Sequence, residues 1–125
     1  MRTTALLFAL VLAPTSALAD VEFEDSATHD CGADPVVNIS KGGGTYTFTG
    51  ACKQVNVNGS DVTVTIETVD ELNVNGTKNK ITAAAVGAIN VNGTKNSIKW
   101  KATTTGKKKP AVAVNGKGNA IAKIK

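Results

Sequence analysis

The heptapeptide Asn-Val-Asn-Gly-Thr-Lys-Asn occurs twice unchanged, at 73–79 and 90–96, seventeen residues apart. Degenerate copies flank the pair. Val55-Asn56-Val57-Asn58-Gly59-Ser60 precedes it, and Val112-Ala113-Val114-Asn115-Gly116-Lys117-Gly118-Asn119 follows. Self-similarity at one short period means that a single supersecondary unit is stacked on itself, and each unit buries its apolar face only against its neighbours. The repeat therefore dictates both the fold and the surface.

Aligned on Val55, Leu72, Ile89 and Val112, the copies place Val57, Val74, Val91 and Val114 two residues on, followed by the Asn-Gly pairs at 58–59, 75–76, 92–93 and 115–116. Five residues beyond each Gly stand Val64, Ile81, Ile98 and Ile121, and two further on stand Ile66, Ala83, Trp100 and Lys123. A weaker first copy has Val37, Ile39, a Gly42-Gly43-Gly44 turn, Tyr46 and Phe48, which makes five units spaced 18, 17, 17 and 23 residues apart. Each unit thus holds two short alternating strands around a turn, and period-2 alternation gives each strand one buried face. Aromatic residues are only 4% of the chain, so the core must be narrow.

Two all-β topologies satisfy this pattern. One is a β-solenoid of about five 17-residue two-strand repeats, in which equivalent strands stack in parallel. The other is an antiparallel meander or barrel of hairpins, because Asn-Gly between alternating strands is also a strong hairpin signal. The solenoid is favoured, because the turn residues repeat in identity and not merely in type. Stacked coils place like residues about 4.8 Å apart. Asn56, Asn73 and Asn90 would then form one amide ladder, and Asn58, Asn75, Asn92 and Asn115 a second. Asn tolerates a left-handed backbone and Gly accepts any, so both suit the corner. The expected core is Val37, Ile39, Tyr46, Phe48, Val55, Val57, Val64, Ile66, Leu72, Val74, Ile81, Ile89, Val91, Ile98, Trp100, Val112, Val114 and Ile121. Lys117, Lys123 and Lys125 would blunt the last sheet edge.

At these same residues the chain resembles the bacterial domain-of-unknown-function family 3060, whose repeats run apolar-x-apolar-x-Gly-Ser/Thr-Gly-Asn-x-apolar. The resemblance covers about Cys52 to Ile121. It is strongest from Ile89 to Trp100, where Gly93-Thr94-Lys95-Asn96-Ser97-Ile98 follows the pattern, and Gly116-Lys117-Gly118-Asn119 matches nearly as well. The chain departs from the pattern at Val62, which stands where Asn is expected, and at Lys78 and Lys95, which replace Gly. The resemblance implies only an exported β-repeat domain; it supplies no activity and no site.

The start of the chain points to export as well. Met1-Arg2, an apolar run from Ala5 to Ala13 and a small-x-small ending at Ala17 and Ala19 form a signal-peptide pattern, with cleavage expected after Ala19. The run is shorter than the roughly 20 residues that span a bilayer, and no second long apolar segment follows. The expected organisation is a signal peptide at 1–19, an acidic leader at 20–34 and a β-repeat domain at 35–125. The expected localisation is periplasmic or secreted. In such a compartment Cys31 and Cys52 are expected to pair, closing a loop worth roughly 3 kcal/mol.

Charge is unevenly placed. Residues 20–34 carry six acids and no base, whereas no acid follows Asn79 and lysines accumulate there. Every base after Arg2 is Lys. Bidentate phosphate recognition favours Arg, so sequence-specific nucleic-acid binding is not expected. Catalysis is not expected either, because His29 is the one histidine and sits in the acidic leader, away from any Ser or Cys relay. One His and two Cys do not make a zinc spacing, and the chain lacks the Gly-Gly-x-Gly-x-Asp repeat of calcium-loaded rolls, so no cofactor is expected.

What remains is a non-catalytic, envelope-associated binding or structural module. Lys78, Lys80, Lys95, Lys99 and Lys101 fall in the same turn-and-strand region of two adjacent units. Stacked, they would form a basic strip for an anionic cell-envelope polysaccharide, against the simpler reading of solubilising lysines. Two alternatives are a protein-interaction scaffold, with self-association through the solenoid edges, and an ice- or surface-binding face. For the latter Thr45 aligns with Thr63 and Thr47 with Thr65, but the following units offer Lys80 with Thr82, then Ser97 with Lys99, so the expected ladder stops after two units.

Overall fold

The computed structural model describes residues 21–23 and 27–124, and every regular element in it is a strand. The expected signal peptide and its cleavage site after Ala19 lie outside the described residues, as does Lys125. The strands are β1 (Val21–Phe23), β2 (Ala27–Asp30), β3 (Val36–Ile39), β4 (Thr45–Val57), β5 (Thr63–Thr77), β6 (Lys80–Thr94), β7 (Ser97–Thr103), β8 (Ala111–Asn115) and β9 (Ala120–Lys123). Among the described residues all eight strand pairings are parallel. The hairpin topology is thereby excluded, and the chain is a β-solenoid of about five coils. Its register is that of the repeat: Val64 pairs with Ile81 and Ile81 with Ile98, while Leu72 pairs with Ile89.

The coils built from β4, β5 and β6 have three inward runs, not two. In β5 the buried residues are Val64, Ile66, Val69, Leu72 and Val74, so the spacing of two widens to three at Glu67-Thr68 and at Asp70-Glu71. The ladder skips Glu67 and Asp70, which mark the two corners. The third corner is the Asn-Gly turn. The short middle run supplies a column made of Cys52, Val69 and Val86, all at most 1% exposed. Fully burying a Val or Ile side chain stabilises by about 1.5–3 kcal/mol, and no wide core is needed because the coils stack so closely.

Of the eighteen expected core residues, the fifteen from Val37 to Trp100 are buried. Val112 and Val114 are not, at 48% and 42% exposed, and Ile121 is half-buried. The reason is one-sided packing: among the described residues β8 pairs only with β6, so nothing lies on the far side of its apolar positions. Cys31, Cys52, Val62, Val69, Ala83 and Val86 join the core in addition.

Cys31 and Cys52 form the expected disulfide, both at most 1% exposed, with a sequence separation of 21. The closed loop stabilises by about 3 kcal/mol through the unfolded chain. The segment set apart as an acidic leader contributes β1 and β2 to the same sheet, paired with β3 and β4. Two departures from the 17-residue period fall at corners. One is a register shift between Phe48 and Ala51, where Gly50 has φ +76° and donates its N–H to Glu67 Oε1 at 3.0 Å. The other separates β7 from β8, where Thr103 pairs with Val86 and Ala111 with Ala88. No helix among the described residues is long and apolar enough to cross a membrane.

Candidate functional site

The Asn-Gly corner is the most ordered polar feature and the one that positions the lysines. Both expected amide ladders are present. Asn56, Asn73 and Asn90 each donate Nδ2 to the Oδ1 of Asn38, Asn56 and Asn73 below, at 2.7–2.9 Å. Asn75, Asn92 and Asn115 donate in the same sense to Asn58, Asn75 and Asn92, at 3.0–3.3 Å.

A third ladder, inside the corner, was not foreseen. Asn79 and Asn96 are at most 1% exposed. The N–H groups of Val62, Asn79 and Asn96 donate to Oδ1 of Asn79, Asn96 and Asn119, all at 3.0 Å. The Nδ2 of Asn79, Asn96 and Asn119 donates to the carbonyl of Gly59, Gly76 and Gly93 in the corner of the adjacent preceding coil, at 2.9–3.1 Å. One buried amide thus satisfies both a donor and an acceptor of the adjacent preceding corner, which a buried backbone requires. The sequence signal was the last Asn of the heptapeptide, which breaks the alternation of apolar positions yet repeats.

The corner glycines and the residues after them have separate duties. Gly59, Gly76, Gly93 and Gly116 are there for closeness: a Cβ on Gly93 would stand 1.9 Å from the Gly76 carbonyl oxygen. The left-handed position comes two residues later, where φ is +58° at Asp61, +58° at Lys78, +57° at Lys95 and +74° at Gly118. A left-handed backbone costs an L-residue about 1–2 kcal/mol, part of which glycine returns through its freer unfolded state. Lys78→Gly and Lys95→Gly are therefore expected to stabilise the fold by about 0.5–1 kcal/mol each. Urea unfolding checks this, and a loss of stability in both variants would overturn it.

This backbone presents all five candidate lysines, Lys78, Lys80, Lys95, Lys99 and Lys101, to solvent. Lys78 and Lys95 occupy the same place in successive corners, with the Lys78 N–H donating to Thr94 O and the Lys95 N–H to Lys117 O. Lys80 lies level with Ser97, and Lys99 with Thr82, so the two sit diagonally on the outer face of adjacent strands. Together with Thr63, Ile81, Thr82 and Ser97 they line a shallow depression of about 290 Å³. Lys101 is not part of it. It follows Trp100 at the far end of β7, toward the next corner.

The threonine columns are unequal. Thr28, Thr47, Thr65 and Thr82 form one continuous column through four coils, longer than the alignment suggested. The neighbouring column, Thr45 and Thr63, ends at Lys80. One line of hydroxyls beside a pair is not a two-dimensional array. Among the described residues no three His, Cys, Asp or Glu side chains cluster in a way that could hold a metal ion.

Fold and corner together define a short parallel β-solenoid with amide-laddered turns and a lysine-bearing flank. A profile of the family described as protein of unknown function (DUF3060) matches residues 39–82, which bears out the resemblance seen in the repeats. The match spans three successive corners, ending just past Asn79, and lies N-terminal to the copies that carried the resemblance most strongly. No curated protein and no solved structure matches the chain.

Proposed function

We propose that the protein is a non-catalytic binding module of the cell envelope, exported to the periplasm or beyond, that holds an anionic polysaccharide on its lysine-bearing flank. The observation that carries this reading is the exposure of Lys78, Lys80, Lys95 and Lys99 on two successive coils, with Lys80 and Lys99 lining a depression edged by the hydroxyls of Thr63, Thr82 and Ser97. A polymer chain with regularly spaced carboxylates meets regularly spaced ammonium groups there, and the absence of any acid beyond Asn79 leaves that potential uncompensated along the sequence. The disulfide is compatible with an oxidising compartment. Lys101 is the outlying member and should matter least.

The test is co-sedimentation of the exported protein with isolated cell-envelope glycans at low and high salt. Exposed ion pairs contribute about 0.2–1 kcal/mol each, so changing all five lysines to Gln should weaken binding about tenfold or more. Pelleting should also fall as salt rises, because surface charges are screened. All five side chains are exposed, so the fold should survive. Absence of pelleting at either salt, or pelleting indifferent to the five substitutions, would sink the reading.

A further inference from the structure

We propose that the open end of the solenoid formed by β8 and β9 is a docking surface for a second copy of this chain, which seats its first coil there and continues the parallel ladder head to tail. The apolar columns of the core run Val37, Val55, Leu72, Ile89, Val112 and Ile39, Val57, Val74, Val91, Val114. Every member is fully buried except the last of each, Val112 at 48% and Val114 at 42% exposed. Beside them a depression of about 400 Å³ is lined by Trp100, Lys109, Pro110, Val112, Ile121 and Lys123. Apolar positions left uncovered at the end of a stack, next to an indole, mark a surface that gains by burial.

Register and charge identify the occupant. At the opposite end β1 extends the same two columns, with Val21 paired to Val37 and Phe23 to Ile39. Among the described residues β1 pairs on one side only. Val21-Glu22-Phe23 thus stands in the register of Val112-Ala113-Val114, and a second copy translated along the axis repeats the parallel geometry of every internal pair. The charges favour this contact over its rival. Lys109 and Lys123 line the depression at the β8–β9 end and Lys117 lies in the turn between these strands, while the sequence from 20 to 34, which supplies β1 and β2, carries six acids and no base. Head-to-tail stacking opposes unlike charges, whereas tail-to-tail stacking would set lysine against lysine. The edge lysines therefore reject a like edge and admit an acidic one. The contact is heterologous, so it adds copies along one axis and does not close a dimer.

Sedimentation velocity of the exported protein over a concentration series, at low and high salt, tests the proposal together with carbodiimide cross-linking. The sedimentation coefficient should rise with concentration, less so at high salt, and cross-links should join Lys109 or Lys117 of one copy to the acid-rich 20–34 segment of another. Lys109→Glu with Lys117→Glu, and Glu22→Lys with Glu24→Lys, should each be monomeric alone and associate when mixed. A concentration-independent monomer, cross-links between two β8–β9 ends, or failure of the mixture to associate would each overturn it. The lysines tested here are not those of the polysaccharide-binding flank, so either proposal can fail without the other.

Discussion

Gly93→Ala is expected to remove at least about 4 kcal/mol of folding stability, a large fraction of the roughly 5–15 kcal/mol that a domain has. The added Cβ would stand 1.9 Å from the carbonyl oxygen of Gly76 and 2.9 Å from its carbon. Both obstacles are backbone, so no side chain can swing aside. Relief would require two coils to part at the corner where Asn96 Nδ2 meets Gly76 O and Asn79 N–H meets Asn96 Oδ1. Gly76 and Gly116 are under the same constraint, at 2.0 and 1.7 Å from the preceding glycine oxygen. Gly43 is a useful contrast, because a Cβ there meets nothing within 4 Å and only its φ of +73° opposes substitution. Gly43→Ala should cost about 1–2 kcal/mol. Urea unfolding followed by circular dichroism separates the two, and similar losses for both variants would refute the stacking argument.

The second large effect is expected at Asn96. Leucine has nearly the same size and suits the apolar surroundings, but it leaves the Asn79 N–H and the Gly76 carbonyl without partners inside the corner. Each orphaned buried group costs about 1–3 kcal/mol, so Asn96→Leu should destabilise by about 3–5 kcal/mol. Asn73→Leu removes as many side-chain hydrogen bonds from the outer ladder. That ladder is only half-buried and water can replace the lost partner, so the loss should stay near 1 kcal/mol. Equal losses at the two positions would mean that the inner ladder has no special weight. Native-state hydrogen exchange offers a second readout, since the Asn79 amide should lose its protection in the Asn96 variant before amides on the other faces do.

Much of the fold was legible because identity, and not only polarity, repeats along the chain. Identical Asn residues seventeen apart made sense only if they met, and the outer ladders show that they do. The middle run of each coil escaped notice because Val69 and Val86 stand three residues from their apolar neighbours, and alternation analysis reads that spacing as a break. Asn79 and Asn96 are absent from the expected core because hydropathy alternation picks out only apolar side chains, whereas their places are buried. Val112 and Val114 have the right sequence for a core, but burial needs a neighbour on both sides, which position in a repeat does not reveal. The lysine flank was legible as a set, and the corner geometry divides it. Lys78 and Lys95 repeat in the corner and Lys80 and Lys99 line the depression on the strands that follow it, while Lys101 lies beyond Trp100.

The long connection between Thr103 and Ala111 carries a further consequence. The coil after it resumes the columns of the coil before it, Ala111 level with Ala88 and Ala120 with Ser97, although six residues have been added at the corner. A corner is therefore a place where length is free and phase is kept. A tag, a fluorophore or a foreign loop grafted between Thr105 and Lys108 would be carried on the outside of the rod, at a height fixed by the coil that bears it. The scaffold then behaves as a ruler with mounting points, each about 4.8 Å from the next.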